Sequence, residues 1–202
     1  MPAHLMEDAN ANSKLLPRTF YDRSPEIVAK DLLGMILVRH YGSERLEGRI
    51  VETEAYLGAA DPASHAFRGI SPFNAVLFGP PGYADVYLIY GLHYCMNVSC
   101  LPDGQPGGVL FRAVIPLEGV ATMAALRGMK ADASAKSLTG GPARLCQAMG
   151  ITRANSHGAD VASASSDLQI VDDGYRPKSI RTTTRIGIKK AVDLPLRFLL
   201  DD

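Results

Sequence analysis

With 202 residues, the chain is long enough to bury a hydrophobic core without help from disulfides or metals. Hydrophobic residues make up 47% of it and charged residues 21%, which is typical of a globular domain and excludes a disordered or coiled-coil chain. The 21 basic and 21 acidic residues cancel, so any site for a polyanion must be a local patch.

The cysteines and the apolar runs indicate where the protein works. Cys95, Cys100 and Cys146 form no CxxC motif, and one of them stays unpaired in any disulfide scheme, which favours a reducing compartment. The N-terminal segment lacks the basic and apolar regions of a signal peptide, and no apolar run reaches the roughly eighteen residues of a membrane span. The sequence therefore predicts a cytoplasmic protein with no membrane partner.

The first elements are a tail and a helix. Residues 1–15 are polar and aperiodic and are expected to form a disordered tail, with a single domain over residues 16–202. The motif Ser24-Pro25-Glu26 supplies an N-cap, a first-turn proline and an early acid, and it predicts a helix that ends at Gly34.

The rest of the chain predicts a largely antiparallel sheet flanked by helices. Runs of β-branched and aromatic residues predict strands at residues 35–40, 48–56, 85–90, 93–100, 109–115, 168–171, 182–188 and 196–200. Helices are expected at residues 117–126 and 142–149. A long loop rich in Gly, Pro, Ala and Ser covers residues 57–82, and loops of that length usually serve a function. These elements define one domain of the α+β class.

The predicted strand at residues 48–56 carries two carboxylates and a phenol. Period two places Glu52, Glu54 and Tyr56 on one face, with the Cα atoms of the two glutamates about 6.6 Å apart. Paired carboxylates at such separations cleave glycosidic bonds through an oxocarbenium-like transition state. A solvated strand face explains the same pattern, so the spacing allows glycosyl chemistry without demanding it.

The predicted hairpin at residues 85–100 holds two tyrosines at unusual spacing. Tyr87 and Tyr90 are three residues apart and are expected to leave opposite faces of the strand. Tyr87 can then face a pocket, while Tyr90 sits at the turn beside Leu92, and an apolar tip of this kind can act as a wedge between base steps. Packing of the two rings across the sheet is the alternative.

A segment near the C-terminus is rich in basic residues. Between residues 174 and 192 there is no acid, and the six basic residues favour either a solvated face or an edge that contacts phosphates: Arg176, Lys178, Arg181, Arg185, Lys189 and Lys190. His65 and His93 lie in no metal-binding spacing, so neither a metal nor a cofactor is expected.

Longer strings carry a family resemblance. They are GRIVETEAYLG (48–58), DPASHAFRG (61–69), FGPPG (78–82), VYLIYGLHYCMNVS (86–99) and Arg112 followed by PLEG (116–119). Over residues 16–200 the chain closely resembles the alkyladenine (3-methyladenine) DNA glycosylase family. The resemblance implies a single compact α+β domain with a curved antiparallel β-sheet, flanking helices and a protruding β-hairpin, in agreement with the predicted elements.

The resemblance implies an enzyme of base-excision repair that flips alkylated or deaminated purines out of duplex DNA and hydrolyses the N-glycosidic bond, leaving an abasic site. Glu54 resembles the family's catalytic base, which activates a water molecule. Arg112 resembles the arginine near that water and the target phosphate, and Ile186 matches the residue whose backbone carbonyl also holds the water. No lysine falls in the matched site segments and no ligand set for a metal exists, so a monofunctional and metal-free enzyme is expected.

The same resemblance implies a base-binding pocket. Tyr56, His65 and Tyr87 resemble residues that sandwich and edge-read the flipped base, and Ala63 matches a loop position whose backbone joins that edge reading. Asn97 resembles the side chain that crowds the exocyclic amino group of normal guanine.

The resemblance also implies how DNA is held. Tyr90 matches the side chain that intercalates into the gap left by the flipped base. Damaged double-stranded DNA is the expected partner. The enzyme is expected to be a cytoplasmic monomer, bound to the nucleoid if the organism is a bacterium. The family often has basic residues where this chain has Ile70 and Phe73, and often a lysine at Arg144, which argues against strong nonspecific DNA binding.

Two other functions need only part of these features. A free-nucleoside hydrolase would use the same carboxylate chemistry but has no need of an exposed Tyr90 and Leu92. A noncatalytic nucleic-acid-binding module would keep the basic segment but has no need of Glu54.

Glu52 belongs to the family string, yet the resemblance gives it no catalytic role.

Overall fold

The structure, a computed structural model, describes residues 13–201. The strands in this range are β1 (Lys14–Leu15), β2 (Ile36–Tyr41), β3 (Glu44–Tyr56), β4 (Ala84–Ile89), β5 (His93–Ser99), β6 (Gly108–Glu118), β7 (Leu168–Asp172), β8 (Ile180–Thr183) and β9 (Arg197–Leu200). The helices are α1 (Arg18–Tyr21), α2 (Pro25–Asp31), α3 (Val120–Leu126), α4 (Ala135–Thr139), α5 (Pro142–Ala148) and α6 (Arg153–Ser156). Short 3₁₀ turns cover Gly58–Ala60 and Ala75–Phe78.

The long strand β3 is the centre of a curled antiparallel sheet. The strand order is β1-β7-β2-β3-β6-β5-β4, with β9 paired to β3 and β8 paired to β9. One edge of β3 pairs with β6, whereas the other edge is shared between β2 at its start and β9 near its end. The predicted α+β class and antiparallel sheet are confirmed, and the C-terminal half of β3 is enclosed by a strand on each side.

The helices cover one face of this sheet and form the main core with it. Val28 of α2 and Leu145 of α5 are completely buried there. Along β2, the alternation of the strand places Leu37 in this core and Ile36 and Val38 in a smaller cluster on the opposite face. Apolar side chains therefore line both faces of the sheet near β2, and β3 is anchored on that side.

Regular structure begins earlier than the sequence predicts. Lys14 and Leu15 pair with Asp172 and Val171 of β7, so the boundary of the predicted tail is wrong for these two residues. The pairing uses main-chain groups, which leave no periodic pattern in a two-residue strand. The rest of the predicted tail, residues 1–12, lies outside the described residues.

Two predicted elements have other boundaries. The helix predicted from residue 117 begins at Val120, because Leu117 and Glu118 continue β6 and Glu118 pairs with Glu47 of β3. The strand predicted at residues 182–188 ends at Thr183, and an irregular loop follows. This loop, residues 184–188, turns toward the interior instead of extending the sheet.

The hairpin of β4 and β5 forms as predicted and exposes its turn. The turn residues Tyr90 and Gly91 have φ angles of 51° and 66°, in the left-handed region that reverses the chain tightly. The side chains of Tyr90 and Leu92 are exposed, Tyr90 to 89%. The segment Tyr90–Leu92 is called the hairpin tip below.

The sequence also made predictions about the cysteines and about membrane-spanning segments. Cys95, Cys100 and Cys146 are buried free thiols, in agreement with the predicted reduced state. In the described part of the chain, α2, α3 and α5 are the longest helices at seven residues each, and none is long and apolar enough to cross a membrane.

Candidate active site

A cavity of about 450 Å³ opens between the end of β3, the β4–β5 hairpin, β6 and the loops after β3 and β8. This volume lies in the range of pockets that bind small organic ligands. Eight of the predicted site residues line it, although the sequence separates them widely: Tyr56, Ala63, His65, Tyr87, Tyr90, Asn97, Arg112 and Ile186. The structure thus brings the predicted pocket residues to one place.

Glu54 lies directly behind the cavity and is completely buried. Its Oε1 accepts the backbone N–H of Ile186 at 2.9 Å and lies 3.2 Å from the guanidinium of Arg112. Its Oε2 accepts the hydroxyl of Tyr56 at 2.9 Å. Burial and the adjacent Glu54 carboxylate both raise the pKa of Tyr56, so the phenol stays a proton donor to Glu54. The carboxylate is therefore held in one orientation by groups from three separate segments.

Arg112 of β6 joins the two glutamates of β3. Its Nε donates to Oε1 of Glu52 at 2.7 Å, while another guanidinium nitrogen faces Glu54. Burial disfavours the charged guanidinium, but the Glu54 and Glu52 carboxylates outweigh that effect and raise the pKa of Arg112. The prediction that Glu52, Glu54 and Tyr56 share one face of the strand is confirmed, since the same network connects all three.

Aromatic side chains form the walls of the cavity. The rings of His65 and Tyr87 meet edge to face with centroids 4.6 Å apart, so these two side chains belong to the same wall. Burial first, then the negative groups nearby, raises the pKa of Tyr87. Cys95 also lines the cavity. The predicted aromatic trio of Tyr56, His65 and Tyr87 thus surrounds one space.

Arg185 is not a phosphate contact, and the prediction of that role is wrong. Its side chain is completely buried and forms a two-pronged ion pair with Asp61, with N–O distances of 2.5 and 2.9 Å. It also donates to the carbonyl of Ala55 and lies over the ring of Tyr56 at 4.6 Å. Asp61 is far away in sequence, so the pattern of basic residues could not predict that Arg185 pairs with it.

The ion pair of Arg185 and Asp61 holds three segments of the site together. Asp61 accepts the backbone N–H groups of Leu57 and Ala63, which shapes the loop after β3. Burial opposes the ionisation of Asp61, but the hydrogen bonds from Arg185 and from these amides lower its pKa overall. Residue 186, which contacts Glu54, follows Arg185 directly. Sequence analysis did not single out Asp61, whose only local signal is its place before a proline at the start of the long loop.

Asn97 lies on the cavity wall in an orientation fixed by a neighbouring strand. It is paired with Asp85 in the β4–β5 ladder, and its Nδ2 donates to Oδ2 of Asp85 at 3.1 Å. Burial raises the pKa of Asp85, and the hydrogen bond from Asn97 and the nearby His157 oppose that shift. Asp85 is another residue that sequence analysis missed, because its role depends on cross-strand register.

Tyr90 lies at the mouth of the same cavity that Tyr87 lines. The expectation that the two rings leave opposite faces is wrong, because β4 ends at Ile89 and the turn conformation of Tyr90 breaks the period of two. The two rings also do not pair across the sheet, since Tyr87 contacts His65 instead. An exposed aromatic ring at the entrance of the cavity is the result.

The other residues of the basic segment are exposed, and several have partners. Arg176 pairs with Asp172 and Arg181 pairs with Asp201, and both acids lie outside the segment. Lys190 lies 5.9 Å from the ring centroid of Phe67. Lys178 and Lys189 are exposed as well. No group of three or more His, Cys, Asp or Glu side chains within residues 13–201 could hold a metal ion.

A buried, hydrogen-bonded carboxylate behind an aromatic cavity is a candidate site for binding and chemistry on a small ligand. Comparison with known proteins specifies the family: a model described as methylpurine-DNA glycosylase matches residues 19–202. The chain belongs to the methylpurine-DNA glycosylase family. It is accordingly a monofunctional DNA glycosylase, a hydrolase of base-excision repair, which confirms the predicted family and enzyme class.

Relatives from distant organisms match nearly the whole chain. A protein of Koribacter versatilis is 54% identical over 185 residues, which cover 92% of this chain and 89% of the relative. A protein of Alkaliphilus oremlandii is 46% identical over 196 residues (93% and 96%), and one of Methanocella arvoryzae is 48% identical over 183 residues (91% and 89%). Each of them bears the name "Putative 3-methyladenine DNA glycosylase".

Proposed function

We propose that the enzyme flips a damaged purine out of duplex DNA into the cavity and hydrolyses its N-glycosidic bond with a water molecule that Glu54 activates. The observation that carries this proposal is the environment of Glu54, a fully buried carboxylate held directly behind an aromatic cavity. Burying a carboxylate is unfavourable, and such placement is typical of groups with a chemical task.

In the proposed reaction, the bond between the sugar C1′ and the purine nitrogen breaks, and its electron pair leaves with the base. Positive charge develops on the sugar, where the carboxylate of Glu54 stabilises it. Glu54 then takes a proton from the water that attacks C1′, and an abasic site is formed. A positively charged alkylpurine leaves as the neutral base, whereas a neutral purine leaves as an anion that takes up the proton released from the water. Arg112 balances the charge of Glu54, and the backbone carbonyl of Ile186 is the second group that we assign to the water.

Recognition of the base is assigned to the cavity walls. The base would stack between Tyr56 on one side and the pair of His65 and Tyr87 on the other, because any purine offers a π-face and an electron-poor one stacks better. The backbone N–H of Ala63 is donated to Asp61, so we assign the edge contact at this position to its carbonyl oxygen. The fixed amide of Asn97 would crowd the amino group of normal guanine.

The hairpin tip is assigned to the DNA duplex. Tyr90 would fill the space vacated by the flipped nucleotide and restore contacts to its neighbours. The position of the ring at the mouth of the cavity supports this role. The enzyme would act as a monomer on damaged double-stranded DNA in the cytoplasm, where a bacterial chromosome lies.

The exposed hairpin tip and the buried carboxylate argue against the two alternatives. A hydrolase of free nucleosides gains nothing from an aromatic ring that is 89% exposed at the entrance. A module that only binds DNA gains nothing from a buried, oriented Glu54. The substrate class that remains is a purine lesion within DNA, and the names of the relatives point to 3-methyladenine among these lesions.

A panel of duplexes tests the proposal. Each duplex carries 3-methyladenine, hypoxanthine, ethenoadenine or a normal purine, and abasic sites are scored after a single turnover in buffer with EDTA. We expect abasic sites at one or more lesions, none at normal purines and no effect of EDTA. The matching free deoxynucleosides serve as the control and should stay intact.

Three results would contradict the proposal. Cleavage of nucleosides in preference to duplexes would make the protein a nucleoside hydrolase. Tight binding of lesion duplexes with no abasic product would make it a binding module. Trapping of a covalent protein–DNA adduct by borohydride would replace the activated water with an amine nucleophile.

A further inference from the structure

Glu52 is a partly buried carboxylate to which the proposed reaction gives no task. Its Oε1 accepts the Nε–H of Arg112 at 2.7 Å and the Nε–H of Arg197, also at 2.7 Å. Charged hydrogen bonds of this length are among the stronger ones in proteins. Glu52 therefore fixes two arginines from strands on opposite sides of β3.

The local geometry of β3 places Glu52 at this junction. Residue 52 pairs with Ala113 of β6 on one edge and with Leu199 of β9 on the other. The register with β6 shifts on both sides of residue 52, and such irregularities re-aim side chains next to functional sites. The side chain is thus directed between Arg112 and Arg197.

The contact with Glu52 decides how Arg112 faces Glu54. A guanidinium can bind one carboxylate through two parallel N–H groups. Here the Nε edge of Arg112 is taken by Glu52, and the 3.2 Å approach to Glu54 comes from one nitrogen and reaches one oxygen, Oε1. Without Glu52, the guanidinium would be free to turn and bind both oxygens of Glu54. The two oxygens of a carboxylate offer about four acceptor positions. The N–H of Ile186, the hydroxyl of Tyr56 and one nitrogen of Arg112 take three of those on Glu54, and a second N–H from Arg112 would take the fourth, which leaves none for the water.

We propose that Glu52 is a positioning residue, which holds Arg112 by its Nε edge and so keeps Glu54 available to the water. This inference rests on the proposed function of Glu54 and adds a requirement to it. Glu52 touches neither the base nor the water in this scheme and acts only through Arg112.

Single-turnover rates and duplex affinities of Glu52 variants test the proposal. Glu52→Ala should lower the excision rate about 100-fold, the scale expected when a catalytic group is misplaced by about 1 Å, while the dissociation constant for the lesion duplex stays within about twofold. Glu52→Gln keeps an acceptor oxygen and should recover much of the rate. Glu47→Gln is the matched control, because Glu47 is a buried carboxylate of the same strand that pairs with Arg45 far from the cavity. It should change the unfolding midpoint without changing the rate.

A double-mutant cycle separates positioning from general support of the fold. If Glu52 acts through Arg112, Glu52→Ala should cost little further rate in an Arg112→Met background. A full 100-fold loss in that background, or an unchanged rate in Glu52→Ala itself, would overturn the proposal.

A crystal structure of Glu52→Ala gives a readout that does not depend on activity. Two nitrogens of Arg112 should lie within hydrogen-bond distance of the two oxygens of Glu54, and an unmoved Arg112 would overturn the inference. If the wild-type enzyme excises none of the lesions, the proposed function fails, while this crystal structure still tests the position of Arg112.

Discussion

The floor and the rim of the cavity differ in where their polar and aromatic groups find partners. The floor consists of Glu54, Tyr56, Arg112 and Arg185, whose polar groups bond to one another, to Asp61 or to backbone groups in the interior. We call the exposed groups beside the cavity its rim: the hairpin tip, and the exposed pair Lys189 and Lys190, which directly follows the cavity-lining residue Ile188. Each charged group of the floor has an oppositely charged partner within the protein, whereas the rim offers aromatic, aliphatic and cationic surface to a binding partner.

This difference separates two kinds of sensitivity. Floor groups are buried and coupled, so a change there removes a charge or a bond that no water can replace. Rim groups are exposed, so a change there should alter association with DNA while the fold remains intact. Variants of the two regions should therefore fail in different assays.

The largest effect is expected at the floor, from Glu54→Gln. An amide cannot accept the proton of the attacking water, so the single-turnover rate should fall about 10²- to 10⁴-fold. Affinity for a lesion duplex should stay close to wild type and the protein should stay folded, because the amide keeps the shape of the side chain and Arg112 keeps Glu52 as its partner. Glu118→Gln, at an exposed carboxylate of β6, is the control. A rate within a few-fold of wild type would remove Glu54 from the chemistry and make Glu52 the next candidate.

Arg185→Met should weaken the fold more than any change at the rim. Removing one partner of a buried ion pair leaves Asp61 uncompensated, and the free energy of unfolding should fall by about 3–5 kcal/mol in chemical denaturation. The matched variant Arg176→Met breaks an exposed pair with Asp172 and should cost no more than about 1 kcal/mol. Equal losses in the two variants would mean that the buried ion pair of Arg185 and Asp61 stabilises the fold no more than the exposed pair of Arg176 and Asp172.

The pH dependence of these variants has a definite sign. In the wild type the pKa of Asp61 is lowered overall, so the stabilisation from the pair is present above the ordinary aspartate pKa and is lost as the pH falls toward the lowered value. In Arg185→Met, protonation of the unpaired Asp61 removes the free-energy cost of burying its negative charge. The stability difference between the two proteins should therefore shrink as the pH is lowered.

Tyr90→Ser at the rim should affect duplex substrates selectively. Extruding a paired base costs a few kcal/mol of stacking and pairing, and the wedge offsets part of that, so excision from duplex DNA should fall about 10- to 100-fold. The same lesion in single-stranded DNA has less stacking to lose and should suffer less. Equal losses on both substrates, or a large drop in the unfolding midpoint, would make Tyr90 a packing residue instead of a wedge.

The smallest effect is expected from reversing the charges of Lys189 and Lys190. If both contact phosphates, Lys189→Glu with Lys190→Glu should weaken binding to all DNA sequences alike and flatten the dependence of log K on log salt by roughly 0.9 per lost contact. Lys30→Glu, on α2, is the control. A loss confined to certain sequences would indicate base contacts.

The sequence predicted the parts of the molecule that depend on short-range pattern. The β4–β5 hairpin and the shared face of Glu52 and Glu54 follow from alternation along a strand, and both are confirmed. Placing Tyr56, His65 and Tyr87 around one space required the resemblance to the family, because strands and loops that are distant in sequence form that cavity.

The failures have a common physical cause. The position of Arg185 is set by the carboxylate of Asp61, 124 residues away. The sequence therefore predicted an exposed charge that could contact phosphate, whereas the guanidinium is paired in the interior. The direction of Tyr90 is set by a left-handed turn, which ends the alternation that the prediction extended. Long-range partners and turn geometry leave no periodic trace in one sequence.

The buried thiols have a chemical consequence for an enzyme whose proposed substrates arise from alkylation. Electrophiles attack cysteine as the thiolate. Burial raises the pKa of Cys95 to about 11, and it also raises the pKa of Cys100 and Cys146, so all three stay protonated at neutral pH, including Cys95 on the cavity wall. The same reagents that damage DNA bases should therefore leave the folded enzyme unmodified at its most nucleophilic atoms. Such an enzyme would keep working under the chemical stress that creates its substrates.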